Sequence, residues 1–264
     1  MADLVPLPPT RTEAFQISNF PFMTFRSFAF GLTASFGIAW LAVVIVPFFL
    51  MRTPKPVSFD EVADGKEGIY HPKRAGRVIN GAEVYSANGC YHCHTQLIRP
   101  TYAGNDLGRP DWAGLKTDEV RGDTRRESNV FDYQGEKFAQ IGVNRLGPDL
   151  SNVGRRVEAI YAKDSDPETW LLMHLYDPRA NPNRPTSTCP SFRFLFDEEK
   201  VEGQTPSAAL PVQAPEGKAI VPTHEALALV EYLLSLKRDD TEPASMSHAP
   251  PSKPAEAKPA APQG

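Results

Sequence analysis

Cys90-Tyr91-His92-Cys93-His94 is the stretch from which the rest of the chain is read. Two thiols three positions apart, followed at once by an imidazole, are the residues and the spacing needed to attach a c-type haem. Each thiol can add across one porphyrin vinyl group, and the intervening pair sets the span between them. The next residue is then carried beneath the iron, so the tethers Cys90 and Cys93 and the axial ligand His94 come from one turn of chain. Other chemistries use similar residues. A thioredoxin-like redox pair asks for a preceding strand in a βαβ context, whereas residues 78–87 read as helix. Zinc takes four ligands, and the only other cysteine is Cys189, so a set of Cys90, Cys93, His94 and Cys189 is possible on paper. A plain disulfide across so small a loop removes little denatured-state entropy.

Composition narrows the classes further. The 264 residues allow one or two domains. A net charge of −4 without a basic stripe gives no footprint for nucleic acid. Three cysteines, two of them in the pentad, exclude a disulfide scaffold. Proline is abundant at 26 residues, and both termini and a central stretch are poor material for a packed core.

Upstream of the pentad, residues 1–27 form a short polar arm with prolines at 6, 8, 9 and 21. Residues 28–51 then run for 24 positions without a charge, between Arg26 and Arg52. About 20 apolar residues suffice to cross a bilayer, so a single transmembrane helix is expected. A cleaved signal peptide has a shorter apolar core, about 7 to 15 residues, and a small-residue cleavage site; here the core ends in Pro-Phe-Phe-Leu-Met-Arg. Pro47 falls in the last turns, where headgroups and water can satisfy the carbonyl it frees. Charges near the membrane, Arg11 and Arg26 against Arg52, Lys55 and Lys66, leave the positive-inside rule undecided. Haem attachment takes place outside the bacterial cytoplasmic membrane, which orients the C-terminal part to the periplasm. Residues 52–77 then read as a polar linker.

The folded domain is expected over 78–238, mostly α-helical. A helix over 78–87 delivers the pentad, with Gly81 and Tyr85 four apart on one face, suited to close approach by another helix. The partner is a helix over 223–237, in which Ala226, Leu229, Val230 and Leu233 fall at i, i+3, i+4 and i+7 and Thr223 caps the start. Asp166-Pro167 opens a further helix that ends at Asp177-Pro178. Crossing first and last helices with a haem behind them resemble the frame of class I cytochromes c. In that family a Gly-Pro segment lies on the histidine side of the haem; the resemblance makes Pro148, in Arg145-Leu146-Gly147-Pro148-Asp149-Leu150, the group that orients His94.

An iron held by His94 needs a sixth ligand or an open position. Of the five methionines, none precedes a proline in a loop. Cys189-Pro190 does, which makes Cys189 the candidate, a soft anionic donor that favours ferric iron. The alternative is that Cys189 is a small buried residue, with Met173, His174 or water at the iron.

The pentad with Thr95-Gln96-Leu97-Ile98-Arg99-Pro100, the Leu146–Leu150 segment and His174-Leu175-Tyr176-Asp177-Pro178-Arg179 resemble the monohaem, membrane-anchored subunit of cbb(3)-type cytochrome c oxidases. The likeness runs from the anchor to about Arg238. It implies one covalent haem c, a haem-copper catalytic subunit and a dihaem cytochrome c subunit as partners, and electron transfer without a complete active site on this chain. It also implies Arg99 at a haem propionate. That family has methionine where this chain has Cys189, which bears on the redox potential. Rival readings are a free-standing anchored shuttle, for example to nitric oxide reductase, and a non-redox haem or zinc module. Insertions are expected at about 102–144, solvated or packed on a partner, and at 202–222. The latter and the tail, 239–264, have the composition of disordered or extended chain.

Overall fold

The computed structural model describes residues 24–52, 57–70, 75–162, 166–181 and 184–246. The expected arm, apart from its last residues, and the tail beyond Met246 lie outside them. The described protein is mostly helical and divides after Lys55 into two units.

The first unit is one long apolar helix. α1, Phe25–Trp40, begins at Thr24, whose hydroxyl accepts from Ser27 N at 3.2 Å. It starts three residues ahead of the expected 28, because the cap lies in the polar flank. A π turn over Leu41–Ile45 leads into α2, Val46–Met51. Pro47 has no N–H to give, and just before it the ladder widens: Val46 N donates to Leu41 O, five residues back. The change of pitch lets the helix run on through a proline that would otherwise break it. Phe25–Leu50 spans 26 residues at mean hydropathy 2.2 and buries none of its most apolar stretch, so it is long and apolar enough to cross a membrane.

The second unit is built on two crossed helices, α4 (Gly76–Ala87) and α7 (His224–Ser235). They cross where Gly81 meets Ala228 and Tyr232; a β-carbon on Gly81 would overlap the Ala228 carbonyl. This is the close approach expected of Gly81. One turn on, the rings of Tyr85 and Tyr232 meet at 5.6 Å, and both residues are fully buried. Thr223 caps α7 by accepting from Ala226 N. α6, Pro167–Tyr176, is capped by Asp166, which accepts from Thr169 N at 2.7 Å, and stops at Asp177 before Pro178. Its Leu171, Leu172 and Leu175 join Leu229, Val230 and Leu233 of α7 in one core. Burying each such side chain contributes about 2 kcal/mol.

Four regions depart from expectation. Residues 52–77 are not simply a spacer. β1 (Val57–Ser58) pairs antiparallel with β2 (Ile69–Tyr70) around the short helix α3 (Glu61–Asp64). Tyr70 is buried edge-on between Phe59 and Phe131, and its hydroxyl accepts from Arg126. The insertion at 102–144 has little regular structure yet packs on its own domain. Asp106 and Asp132 are buried in it and paired with Arg99, Arg145 and Arg126. The stretch 202–222 ends in β4 (Lys218–Pro222), which pairs antiparallel with β3 (Phe196–Lys200), Phe196 opposite Pro222. Leu210, Ala219, Ile220 and Val221 are buried there. The tail is packed at its start: Asp239 is buried and receives Arg121, Thr124 and Arg155.

Candidate functional site

The pentad hangs from the C-terminus of α4. Asn88 closes that helix through its side-chain amide to Val84 O at 2.8 Å, and Gly89 follows in the left-handed region at φ 68°. Cys90–His92 then form a 3₁₀ turn, with Cys93 N and His94 N both donating to Cys90 O at 3.1 and 3.0 Å. Two cysteines and the histidine are thus gathered in a single tight turn. All three cysteines of the chain are free and half-buried. Burial pushes the Cys90 thiol up to about 12, and the neighbouring Cys189 adds to the effect.

His94 is held from below. Its Nδ1–H donates to the Pro148 carbonyl at 2.8 Å, so the structure brings Pro148 to the histidine as the resemblance implied. Gly147 lies flat against the ring, where a β-carbon would overlap Cε1, and Gly142 presses on the His94 carbonyl. Backbone bonds clamp the two segments: Gly147 N to Cys93 O at 2.9 Å, Leu150 N to Thr95 O at 2.8 Å and Val143 N to Tyr91 O at 2.9 Å. Beneath them Asp149 accepts from Thr95 Oγ1 at 2.6 Å, Leu97 N at 2.9 Å and Ser151 N at 2.8 Å. Burial holds His94 below the ordinary histidine range. A neutral ring that donates through Nδ1 keeps its lone pair on Nε2, the form that ligates a metal.

Arg99 pairs with Asp106. Its Nε and Nη2 go to Asp106 at 3.0 and 2.8 Å, and Arg145 grips the same carboxylate with two 2.8 Å bonds. This three-residue contact pins the loop after the pentad to the Gly-Pro segment.

Cys189 comes near the two thiols of the turn. Its thiol is raised by burial and by the nearby Cys93. Arg179 holds its loop, donating to Cys189 O at 2.9 Å and Ser191 Oγ at 2.8 Å. Met173 packs against the core, while His174, the next residue on α6, stacks on Trp170 at 5.4 Å with ring planes 4° apart. Burial, Arg184 and His94 together lower His174 to about 4, and its Nδ1 is buried without a partner.

Two arginines that sequence reasoning passed over complete the surroundings. Arg156 is 2% exposed and donates only to backbone carbonyls, of Asp111 at 3.0 Å and Asp149 at 2.8 Å, leaving Nε buried without a partner. The guanidinium of Arg184 sits 4.5 Å from the centre of the Tyr161 ring, and that of Arg156 lies 6.0 Å from it. A buried guanidinium with no carboxylate bonded to it is costly unless an anion compensates it. In the sequence nothing sets Arg156 apart from its neighbour Arg155, which pairs with Asp239.

Among the described residues no three His, Cys, Asp or Glu side chains converge so as to hold a bare metal ion. Neither the models of known protein families nor the curated proteins compared with this chain match it.

Proposed function

We propose that the chain is a membrane-anchored, monohaem c-type cytochrome that relays electrons to the haem-copper subunit of a cbb(3)-type terminal oxidase. The observation that carries the reading is a histidine whose Nδ1 is tied to the Pro148 carbonyl, directly after two free thiols at haem-attaching spacing. When bound, a haem supplies reversible one-electron exchange between ferric and ferrous iron. The residues present fit that group. Cys90 and Cys93 would hold its edge and His94 would offer Nε2 to the metal. Arg156, with its orphaned Nε, and Arg184 would meet the negative carboxylates that such a porphyrin carries. Core packing around Tyr85 and Tyr232 keeps water from one side of the turn.

As a second protein ligand for the iron Cys189 would be the first reading, since its thiol lies near those of Cys90 and Cys93. His174 is a second, favoured by its unpartnered buried nitrogen and its nearness to His94. The long apolar helix serves as the anchor in the inner membrane, and the folded unit faces the periplasm, where haem attachment takes place. A dihaem cytochrome c subunit would deliver electrons inward.

Peroxidase staining of a denaturing gel tests the reading. The full-length chain should carry a coloured band that Cys90→Ala/Cys93→Ala abolishes; a colourless wild-type band overturns it. Isolation in mild detergent together with a haem-copper subunit separates the oxidase assignment from a free-standing shuttle.

A further inference from the structure

A cleft of about 580 Å³ opens in the second unit between the β1–β2 segment, the insertion and the end of α7, and no residue of the pentad lines it. Its volume lies in the range of small-molecule pockets, about 300 to 1,000 Å³. Phe59, Ile69 and Tyr70 make one wall apolar. The rest is cationic: Lys66, Arg121, Arg126, Arg155, Lys237 and Arg238 line it against only two carboxylates, Asp132 and Asp240. Most of these cations are fixed from behind. One carboxylate, that of Asp239, is fully buried and takes both Arg121 at 2.9 Å and Arg155 at 3.0 Å. Arg126 spans Asp132 and the Tyr70 hydroxyl, and Lys237 reaches Glu158 at 2.6 Å.

Three donors are left over. Arg155 bonds Asp239 through Nε, and its nearest other carboxylate, Asp240, is 3.9 Å away. Lys66 pairs with no carboxylate among the described residues; its ammonium rests 3.9 Å from the centre of the Phe59 ring. Arg238, only 6% exposed, gives its terminal nitrogens to Gln96 and Glu136 and keeps a buried Nε without a partner. Guanidiniums held in place before a ligand arrives lose little freedom on binding it, and their forked donors match a phosphate. The apolar wall asks for more than a bare ion.

We propose that this cleft binds a phosphate-bearing amphiphile, its phosphate taken by Lys66, Arg155 and Arg238 and its apolar part laid on Phe59 and Ile69. That chemistry has two sources, the headgroup of an anionic phospholipid and a soluble phosphate ester. Only residues 53–56 separate the end of the long apolar helix, Arg52, from Val57 of β1, and clusters of Lys and Arg that follow a membrane span closely in sequence attract anionic lipid. The lipid source rests on that helix lying in a membrane, as proposed above; binding itself does not depend on haem.

The test titrates the full-length chain in detergent with dihexanoyl phosphatidylglycerol, with dihexanoyl glycerol, which lacks the phosphate, and with glycerol phosphate, read by native mass spectrometry and thermal midpoint. Phosphatidylglycerol should bind saturably, one molecule per chain, and raise the midpoint. Lys66→Gln/Arg155→Gln should weaken it at least tenfold and Ile69→Gln severalfold, while Lys200→Gln, exposed on β3 outside the cleft, should leave it unchanged. Because Arg155 also holds Asp239, Lys66→Gln alone, with an unchanged midpoint in the absence of ligand, must weaken binding as well. Glycerol phosphate binding as tightly as the lipid would support the site with a soluble occupant, and tighter binding of the lipid would support it with a membrane one. No saturable binding of either, equal binding of dihexanoyl glycerol, or affinity unchanged in Lys66→Gln would overturn the proposal. Haem staining of the same sample decides the function given above and leaves this result untouched.

Discussion

The two sides of the Cys90–His94 turn are built to different standards. On the histidine side, Pro148, Gly147, Asp149, Thr95, Arg145 and Asp106 form a continuous set of short bonds around carboxylates that are fully buried. On the Cys189 side, the loop is half-exposed and is held by Arg179 and by one backbone bond from Phe192 N to Leu175 O at 2.8 Å. One side fixes the His94 ring in place; the other brings up Cys189 on a half-exposed loop and His174 on α6. If the proposed function holds, the contrast teaches that the short bonds are concentrated around the histidine that would ligate the iron.

Breaking the rigid side should cost most. Burial alone would raise the Asp106 carboxyl, but hydrogen bonds from Arg99 and Arg145 hold it well below the usual carboxylate range. A depressed folded value means that its contribution to stability is complete above the ordinary carboxylate pKa and is lost as pH falls below it. Asp106→Asn should therefore cost about 3 kcal/mol at neutral pH, by leaving two guanidiniums against a neutral amide. It should also flatten the fall in stability between about pH 4 and pH 2. Urea titrations at several pH values check both. Next comes Gly147→Ala, whose methyl group would meet the His94 ring; overpacking there should cost about 2 kcal/mol and alter the absorption spectrum of the purified protein.

The looser side should give smaller changes in stability. Arg179→Ala removes hydrogen bonds at the surface and should cost under about 1 kcal/mol, with faster proteolysis between Ser187 and Ser191. Smallest in stability is Cys189→Met, within about 0.5 kcal/mol, yet it should raise the midpoint potential by more than about 0.1 V within the roughly 0.8 V that axial ligands command. Potentiometric titration decides it. An unchanged potential in Cys189→Met together with a changed one in His174→Ala would assign the second axial position to the histidine.

The long apolar helix, α4, α6 and α7 were legible in the sequence because each rests on local signals: an uncharged run, Thr223 or Asp166 as cap, Gly81 and Tyr85 one turn apart. The gathering of Cys90, Cys93 and His94 in one turn was legible because their spacing is local. What escaped is held by residues far apart in the chain. Asp106 finds Arg145, and Arg121 finds Asp239, so residues 102–144 read as a solvated insertion while being pinned at their centre and edge. β3 is Phe-Asp-Glu-Glu-Lys, a composition that looks like open loop, and only its pairing with Lys218–Pro222 makes it a strand. Arg156 and Arg155 are adjacent and alike; burial, which no pattern announced, separates their roles.

The π turn at Leu41–Ile45 carries a consequence for anyone mapping the faces of the long apolar helix. Widening the spiral by one residue turns everything after it by about 100° relative to a uniform helix. Phe28 and Phe36 therefore belong to one wheel diagram and Phe48 and Phe49 to another, and scanning mutagenesis scored on a single wheel would mix two faces into one.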